Sequence, residues 1–345
     1  MRNFYYKKNV LVTGGASFIG SHLVEELIKQ GAYVRVADDL SSGKIENLST
    51  VIDKIDFCKG CLRDKTFSLS VMNDIQIVFH LAANHGGRGY IDSHPVECLK
   101  NMILDGIVFE TAHLCGVDKI CFASSACVYP RKLQETNSEN VIHLKEEWAD
   151  PKKCIGEPDG EYGWSKLMSE LALKAYYDQH NIKTVSCRLF TAYGERENET
   201  HAVIALIAKA FVQKDPFPIW GNGQQARNFT YVSDIVEGML YACMFVSDGS
   251  AINIGTDTVI TIDECAQKIF RLMNWYPKEI IYENARPTGV TVRSADLTKT
   301  KKMLKWSPKT SFINGLKKTV KWYSETRNLE FVKENLDSLL TERSS

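Results

Sequence analysis

Tyr162 and Lys166 stand four residues apart in Tyr162-Gly-Trp-Ser-Lys166. On a helix this spacing puts both side chains on one face. An ammonium beside a phenol favours the phenolate, because a positive neighbour stabilises the charged form. That pair is a base able to take a proton from an alcohol near neutral pH. Upstream lies Ser125-Ala-Cys127-Val-Tyr129. A cysteine there is a second group able to exchange a proton close to neutrality.

Such groups need elements to hold them. Asn9–Thr13 is a short apolar run and reads as a buried parallel strand. Residues 20–30 carry Leu23, Val24, Leu27 and Ile28 on one helical face and stop at Gly31. Further strands are expected at 33–37, 75–80 and 119–124, with helices at 96–115 and 165–179. Alternating strand and helix imply an α/β fold, a Rossmann-like doubly wound parallel sheet. From about residue 185 the pattern loosens into turn-rich segments, with a capping box at Thr261 and Glu264. We therefore expect a nucleotide-binding domain over 1–185, with later segments returning to it. A smaller, mainly substrate-binding domain is expected over 186–330 and a polar tail over 331–345.

The chain has 345 residues, 44% hydrophobic and 24% charged, with 42 basic and 42 acidic side chains. A neutral balance gives no electrostatic footprint for nucleic acid. No apolar run approaches the ~18 residues of a membrane span, and the N-terminus lacks a signal-peptide pattern. A cytoplasmic location is expected. The ten cysteines are irregularly spaced. Cys58-Lys-Gly-Cys61 has no second ligand pair, so no metal site is expected.

Thr13-Gly-Gly-Ala-Ser-Phe-Ile-Gly-Ser21 follows the first strand. Glycines at such a turn let a pyrophosphate approach a helix N-terminus. Gly14, Ser17, Phe18, Ile19 and Gly20 are the candidates, with Ser17 where a middle glycine is usual. Asp38 closes the second strand; a carboxylate there accepts from a ribose diol and repels a 2′-phosphate. NAD is favoured over NADP. Asp39 is adjacent and could share the role.

With Gly14, Asp38, His80-Leu81-Ala82-Ala83 and Tyr162/Lys166 in order, the chain resembles the extended short-chain dehydrogenase/reductase family, in its nucleotide-sugar epimerase and dehydratase branch. The resemblance spans roughly residues 8–325. Matching segments include Arg188-Leu-Phe-Thr-Ala-Tyr-Gly194, Arg227-Asn-Phe-Thr-Tyr-Val-Ser-Asp234 and Arg293-Ser-Ala-Asp296. It implies bound NAD, a nucleoside diphosphate sugar and a homodimer through paired helices. Leu62, in Gly60-Cys61-Leu62, falls at the family's adenine position, where a Gly-Asp pair is usual.

The family mechanism makes Tyr162 the base for the sugar's 4-hydroxyl while carbon 4 loses hydride. Lys166 lowers the tyrosine pKa and holds the nicotinamide ribose; Ser125 positions the hydroxyl. The usual dehydratase Asp-Glu pair is replaced by Ala126 and Cys127. Two segments, 125–130 and 83–90, resemble those of GDP-mannose 3,5-epimerases, whose cysteine is an acid/base. The resemblance places Gly87, Arg88, Cys127 and His201 at the sugar, His201 near an expected lysine. Arg227 and Arg293 match diphosphate-binding positions, and guanidinium forks suit phosphate oxygens. His85 is a further candidate; Trp220 and Phe229 read as packing residues. As the generic activity of the branch, 4-epimerisation is what the resemblance narrowly implies, then 3,5-epimerisation of a GDP-hexose, then dehydration with Cys127 in place of the usual carboxylate. A non-catalytic NAD sensor would not need Tyr162, Lys166 and Ser125 together.

Overall fold

The computed structural model describes residues 4–150 and 156–342. Its unbroken apolar runs become strands covered on both faces, as in parallel sheets. Val10, Leu11 and Val12 are fully buried, and Ile77–His80 is buried throughout. They are central in a seven-stranded sheet. Across it, the order is Asp248–Ile254, Lys183–Leu189, Lys119–Ser125, Ile77–His80, Asn9–Thr13, Tyr33–Asp38 and Ile55–Lys59. Every pairing in it is parallel. The order reverses between Asn9–Thr13 and Ile77–His80, which opens a crevice at the strands' C-terminal ends.

Helices cover both faces. Phe18–Lys29 and Val232–Phe245 pack together on one, through Leu23, Ile235 and Met239. Asn101–Leu114 and Gly160–His180 cover the other, through Val108, Phe109 and Leu173.

A second unit has its own core of Ile204, Ile207, Phe217, Phe270 and Leu316. Three small sheets and the helices Ala202–Phe211, Ile262–Met273, Phe312–Thr326 and Leu329–Thr341 build it among the described residues. Thr261 and Glu264 close a capping box at the start of the second of these helices. Chain segments cross the expected cut at residue 185 in both directions. Asp248–Ile254 edges the main sheet, while His143–Leu144 pairs with Val292–Ala295 in the second unit. The polar tail forms the helix Leu329–Thr341, capped by Asn328 and buried through Val332, Leu336 and Leu340; residues 343–345 lie outside the described residues. Among the described residues, no helix is long and apolar enough to cross a membrane.

Candidate active site

Gly160–His180 turns Tyr162, Lys166, Ser169 and Leu173 towards the sheet, the spacing of one helical face. Trp164 and Met168 face outwards. Ser125 ends its strand at the crevice and runs into the turn Ala126–Val128. Its hydroxyl accepts from the Cys127 amide at 3.1 Å, and its nearness lowers the Tyr162 phenol's pKa. Gly163 allows the helix this close: a Cβ there would sit 2.3 Å from the Cys127 carbonyl oxygen. Tyr162, Lys166, Ser125 and Cys127 therefore line one cavity of about 430 Å³.

Burial pushes the Tyr162 phenol well above its ordinary value, and Cys127, Asp105 and Cys98 add to the rise; Ser125 alone opposes it among the leading causes. The Lys166 ammonium lies 5.9 Å from the Tyr162 ring centroid and only 4.4 Å from that of Phe122. Burial also lowers the Lys166 pKa, against Asp105 and Glu170, which hold it up. Desolvation is the largest influence on the phenol, and the lysine is not among the leading ones.

The crevice fits a dinucleotide. Gly14 has φ +67°, and a Cβ on it would lie 2.9 Å from the Ala82 nitrogen. Ser17, Phe18, Ile19, Leu81 and Ala83 line the main cavity, while Gly14, Asp38, Leu62 and Ala82 line its neighbour. Ser17, Leu81 and Ala83 belong to both, so the two are ends of one groove. Gly20 lines neither; a Cβ there would meet the Gly14 carbonyl oxygen at 2.1 Å, so it serves the packing of helix on loop. Asp38 accepts from the Ala16 and Leu40 amides, each at 2.9 Å, which fixes its carboxylate at the groove. Cys61 and Arg63 flank Leu62 where a carboxylate is usual.

On the sugar side, Arg293 donates from Nη1 to Cys127 Sγ at 3.3 Å and from Nη2 to Asp159 Oδ2 at 2.7 Å. Arg88 donates from Nη1 to Asp159 Oδ1 at 2.8 Å, and its Nε pairs with Asp92 at 2.9 Å. Burial alone would raise the Asp159 pKa; Arg293 and Arg88 outweigh it and hold the carboxyl below its usual range. Arg227 behaves differently from a ready phosphate fork. It donates to the carbonyls of Ala226, Thr288, Val290 and Thr291. Burial, then Arg293, lowers it to about 9. It lines the cavity as a braced cation with no carboxylate among those hydrogen-bond partners.

The loop 195–201 supplies the opposite wall. The His201 Nδ1 lies 3.3 Å from Glu197 Oε1. Burial lowers His201 to about 4 and raises Glu197 well above the carboxylate range, with Glu199 adding to the latter. His85 sits between, its ring centroid 4.9 Å from Tyr162 and 5.1 Å from His201. The Gly87 amide donates to Thr200 Oγ1 at 3.0 Å, joining the two loops. Glu199 clamps the wall to the second unit through Tyr323, at 3.0 Å, and Arg327. Trp220 and Phe229 both line the cavity, Phe229 from within the second unit's core and Trp220 packed against it. Among the described residues no cluster fits a metal ion.

Sequence reasoning missed Asp159 and Glu197. Asp159 reads as a turn residue before a helix, and its guanidinium partners lie 71 and 134 positions away. Glu197 is one of three glutamates in a polar loop; its nearness to His201 was the available cue, at i,i+4.

Residues 10–255 match the NAD dependent epimerase/dehydratase family. GDP-mannose 3,5-epimerase 1 of Oryza sativa subsp. indica is 34% identical over 327 residues, 92% of this chain and 82% of that protein. A UDP-N-acetyl-alpha-D-glucosaminuronate decarboxylase of Bacillus cytotoxicus is 31% identical, over 93% of this chain and 99% of its own. The crystal structure of UDP-glucose 4-epimerase with UDP-glucose from Thermotoga maritima superposes with a TM-score of 0.82 at 29% identity, covering 92% of this chain and 99% of that one. With the groove, the Tyr162–Lys166 face and these matches in agreement, the chain belongs to the NAD-dependent epimerase/dehydratase family.

Proposed function

We propose that the protein epimerises a nucleoside diphosphate hexose through a transient 4-ketone, with proton exchange at a neighbouring carbon by Cys127. The contact that carries this reading is Arg293 Nη1 on Cys127 Sγ, 3.3 Å, in the cavity that holds Tyr162 and Ser125. A simple 4-epimerase has no use for a thiol held there by a buried guanidinium. The 32–34% identity to GDP-mannose 3,5-epimerases points the same way. This shifts the narrow preference for 4-epimerisation read from the sequence.

Bound NAD⁺ supplies the hydride acceptor. Tyr162 takes the proton of the 4-hydroxyl and Ser125 orients it. The 4-ketone then acidifies the hydrogens on carbons 3 and 5. Cys127 removes or returns a proton on one face. His201, uncharged at neutral pH and backed by Glu197, whose pKa burial raises, serves the other. Arg227, with Arg293 nearby, is the cation for the diphosphate. The outward face of Val96, Leu99, Met102, Ile103, Trp164 and Met168 is the proposed homodimer contact.

The test is turnover of GDP-, UDP- and CDP-hexoses in deuterated water, with label located by NMR. Deuterium at carbon 3 or 5 of the epimerised product is the expected result. Inverted carbon 4 without label elsewhere would reject the role of Cys127. A methyl product would mean dehydration, and NADH released in proportion to substrate a net dehydrogenase.

A further inference from the structure

Behind Lys166 lies a buried carboxylate that the chemistry above does not use. Asp105, on the helix Asn101–Leu114, is 1% exposed. His80 Nε2 is 2.9 Å from its Oδ1, and Ser169 donates to its Oδ2 at 2.6 Å. Ser169 follows Lys166 by three residues on the same helical face. Beyond His80, Nδ1 lies 2.7 Å from Thr13 Oγ1. That oxygen already accepts the Leu81 and Ala82 amides at 3.1 and 3.2 Å. Its hydroxyl proton is then the one available for Nδ1, so Nε2 carries the ring proton and donates to Asp105. The carboxylate is ionised. Lys166 supplies the positive charge facing it. Lysine and imidazole also share the Phe122 ring, at 4.4 and 5.8 Å.

We propose that Asp105 is a positioning residue for the proton-transfer pair: a buried carboxylate facing Lys166, it ties the helix that carries the lysine, through Ser169 on one side and His80 and Thr13 on the other, to the Leu81–Ala82 wall of the cofactor groove. This rests on Tyr162 and Lys166 acting as stated under the proposed function. Other charged and titratable groups face the pair. Glu170, on the same helix, faces Lys166 and is itself held by Arg188 at 2.7 Å. Cys98 and Cys127 face Tyr162 from the helix Pro95–Leu99 and from the turn after Ser125.

The negative charge of Asp105 raises the pKa of both Tyr162 and Lys166. Its removal therefore lowers both. Asp105→Asn keeps the size and can keep both hydrogen bonds. In the holoenzyme, both limbs of the pH–turnover profile are expected to move to lower pH, by about one unit or more. The acid limb moves because the phenol ionises sooner, the alkaline limb because the ammonium loses its proton sooner. Ser169→Ala drops a hydrogen bond, keeps the charge and is expected to leave both limbs in place. Asp105→Ser is the second charge-free variant. Unmoved limbs in a folded charge-free variant, with only the plateau lowered, overturn the proposal. So does failure of both variants to fold without relief by Lys166→Met, since a coupled pair tolerates loss of both charges better than loss of one. A second readout needs no substrate: the ultraviolet tyrosinate band, titrated as the difference between each protein and its Tyr162→Phe counterpart. A lower midpoint in Asp105→Asn supports the proposal even when no sugar nucleotide is turned over. An unchanged midpoint overturns it even when the epimerase reading stands.

Discussion

Asp159→Asn probes the ion cluster that holds Cys127. The carboxylate is 2% exposed and joins two guanidiniums, Arg293 at 2.7 Å and Arg88 at 2.8 Å. Removing one partner of a buried pair costs about 3–5 kcal/mol, because it strands the other charge. Two features reduce that here. Arg88 keeps Asp92, and Arg293 keeps Gln134 as an acceptor at 2.7 Å. A loss of about 2–4 kcal/mol follows. With unfolding entropy near 2.1 cal/mol/K per residue, that is a fall in Tm of roughly 3–6 °C. Differential scanning calorimetry reads it directly. The loss should persist from low to high salt, since buried pairs are little screened. The pH sign is fixed as well. Asp159 has a depressed folded pKa, so its contribution is present above the unfolded value of about 3.9 and is lost as pH falls through the folded value. The gap between wild type and variant should therefore close in strong acid. With Arg293 no longer tied, label incorporation at carbon 3 or 5 should fall as well. A Tm within about 1 °C of wild type at neutral pH would refute the estimate, and a gap that vanishes in salt would show an exposed pair instead.

Three further outcomes are expected. Tyr162→Phe should lower turnover by about 10²–10⁴-fold, the usual contribution of a positioned acid–base, while calorimetric NAD titration shows binding retained; near-wild-type turnover would sink the mechanism. Cys127→Ser should abolish deuterium exchange at carbons 3 and 5 yet still allow oxidation at carbon 4, seen as transient nicotinamide absorbance; equal loss of both would refute that division. Ile103→Glu, on the exposed apolar face, should yield a monomer in sedimentation equilibrium; an unchanged oligomer would place the contact elsewhere.

Much of the main domain was legible because its signals are local. Asn9–Thr13 needed only an apolar run and a following glycine turn. Tyr162 and Lys166 needed only a spacing of four on a helix. Cys127 was visible as the departure from a dehydratase pair, since it sits two residues after Ser125. What stayed hidden depends on contacts between distant segments. Arg227 looked like a phosphate fork, but the strand pairing of Ala226–Arg227 with Val292–Ala295 brings the 288–291 carbonyls onto its guanidinium. The spacing of Tyr162 and Lys166 reports a shared face and says nothing of desolvation, which dominates at a phenol only 5% exposed.

The sugar-facing wall shows why family and substrate differ in legibility. The groove and the oxidising pair come from consecutive strand–helix units, so their motifs survive as short strings. His201 and Glu197 are placed by Glu199, which is anchored to Tyr323 and Arg327, more than 120 residues later. The helix Leu329–Thr341, a polar tail by composition, brings Leu340 to the cavity. Substitutions at Tyr323, Arg327 or Leu340 can therefore reshape the sugar's surroundings without touching Ser125, Tyr162 or Lys166. A family assignment built on those three remains sound under such changes, while a substrate assignment does not. The last fifth of the chain thus contributes Arg293, Arg327 and Leu340 to the cavity wall where no motif marks them, and the Cys127–Arg293–Asp159 contact is the nearest part of that geometry to leave a readable trace.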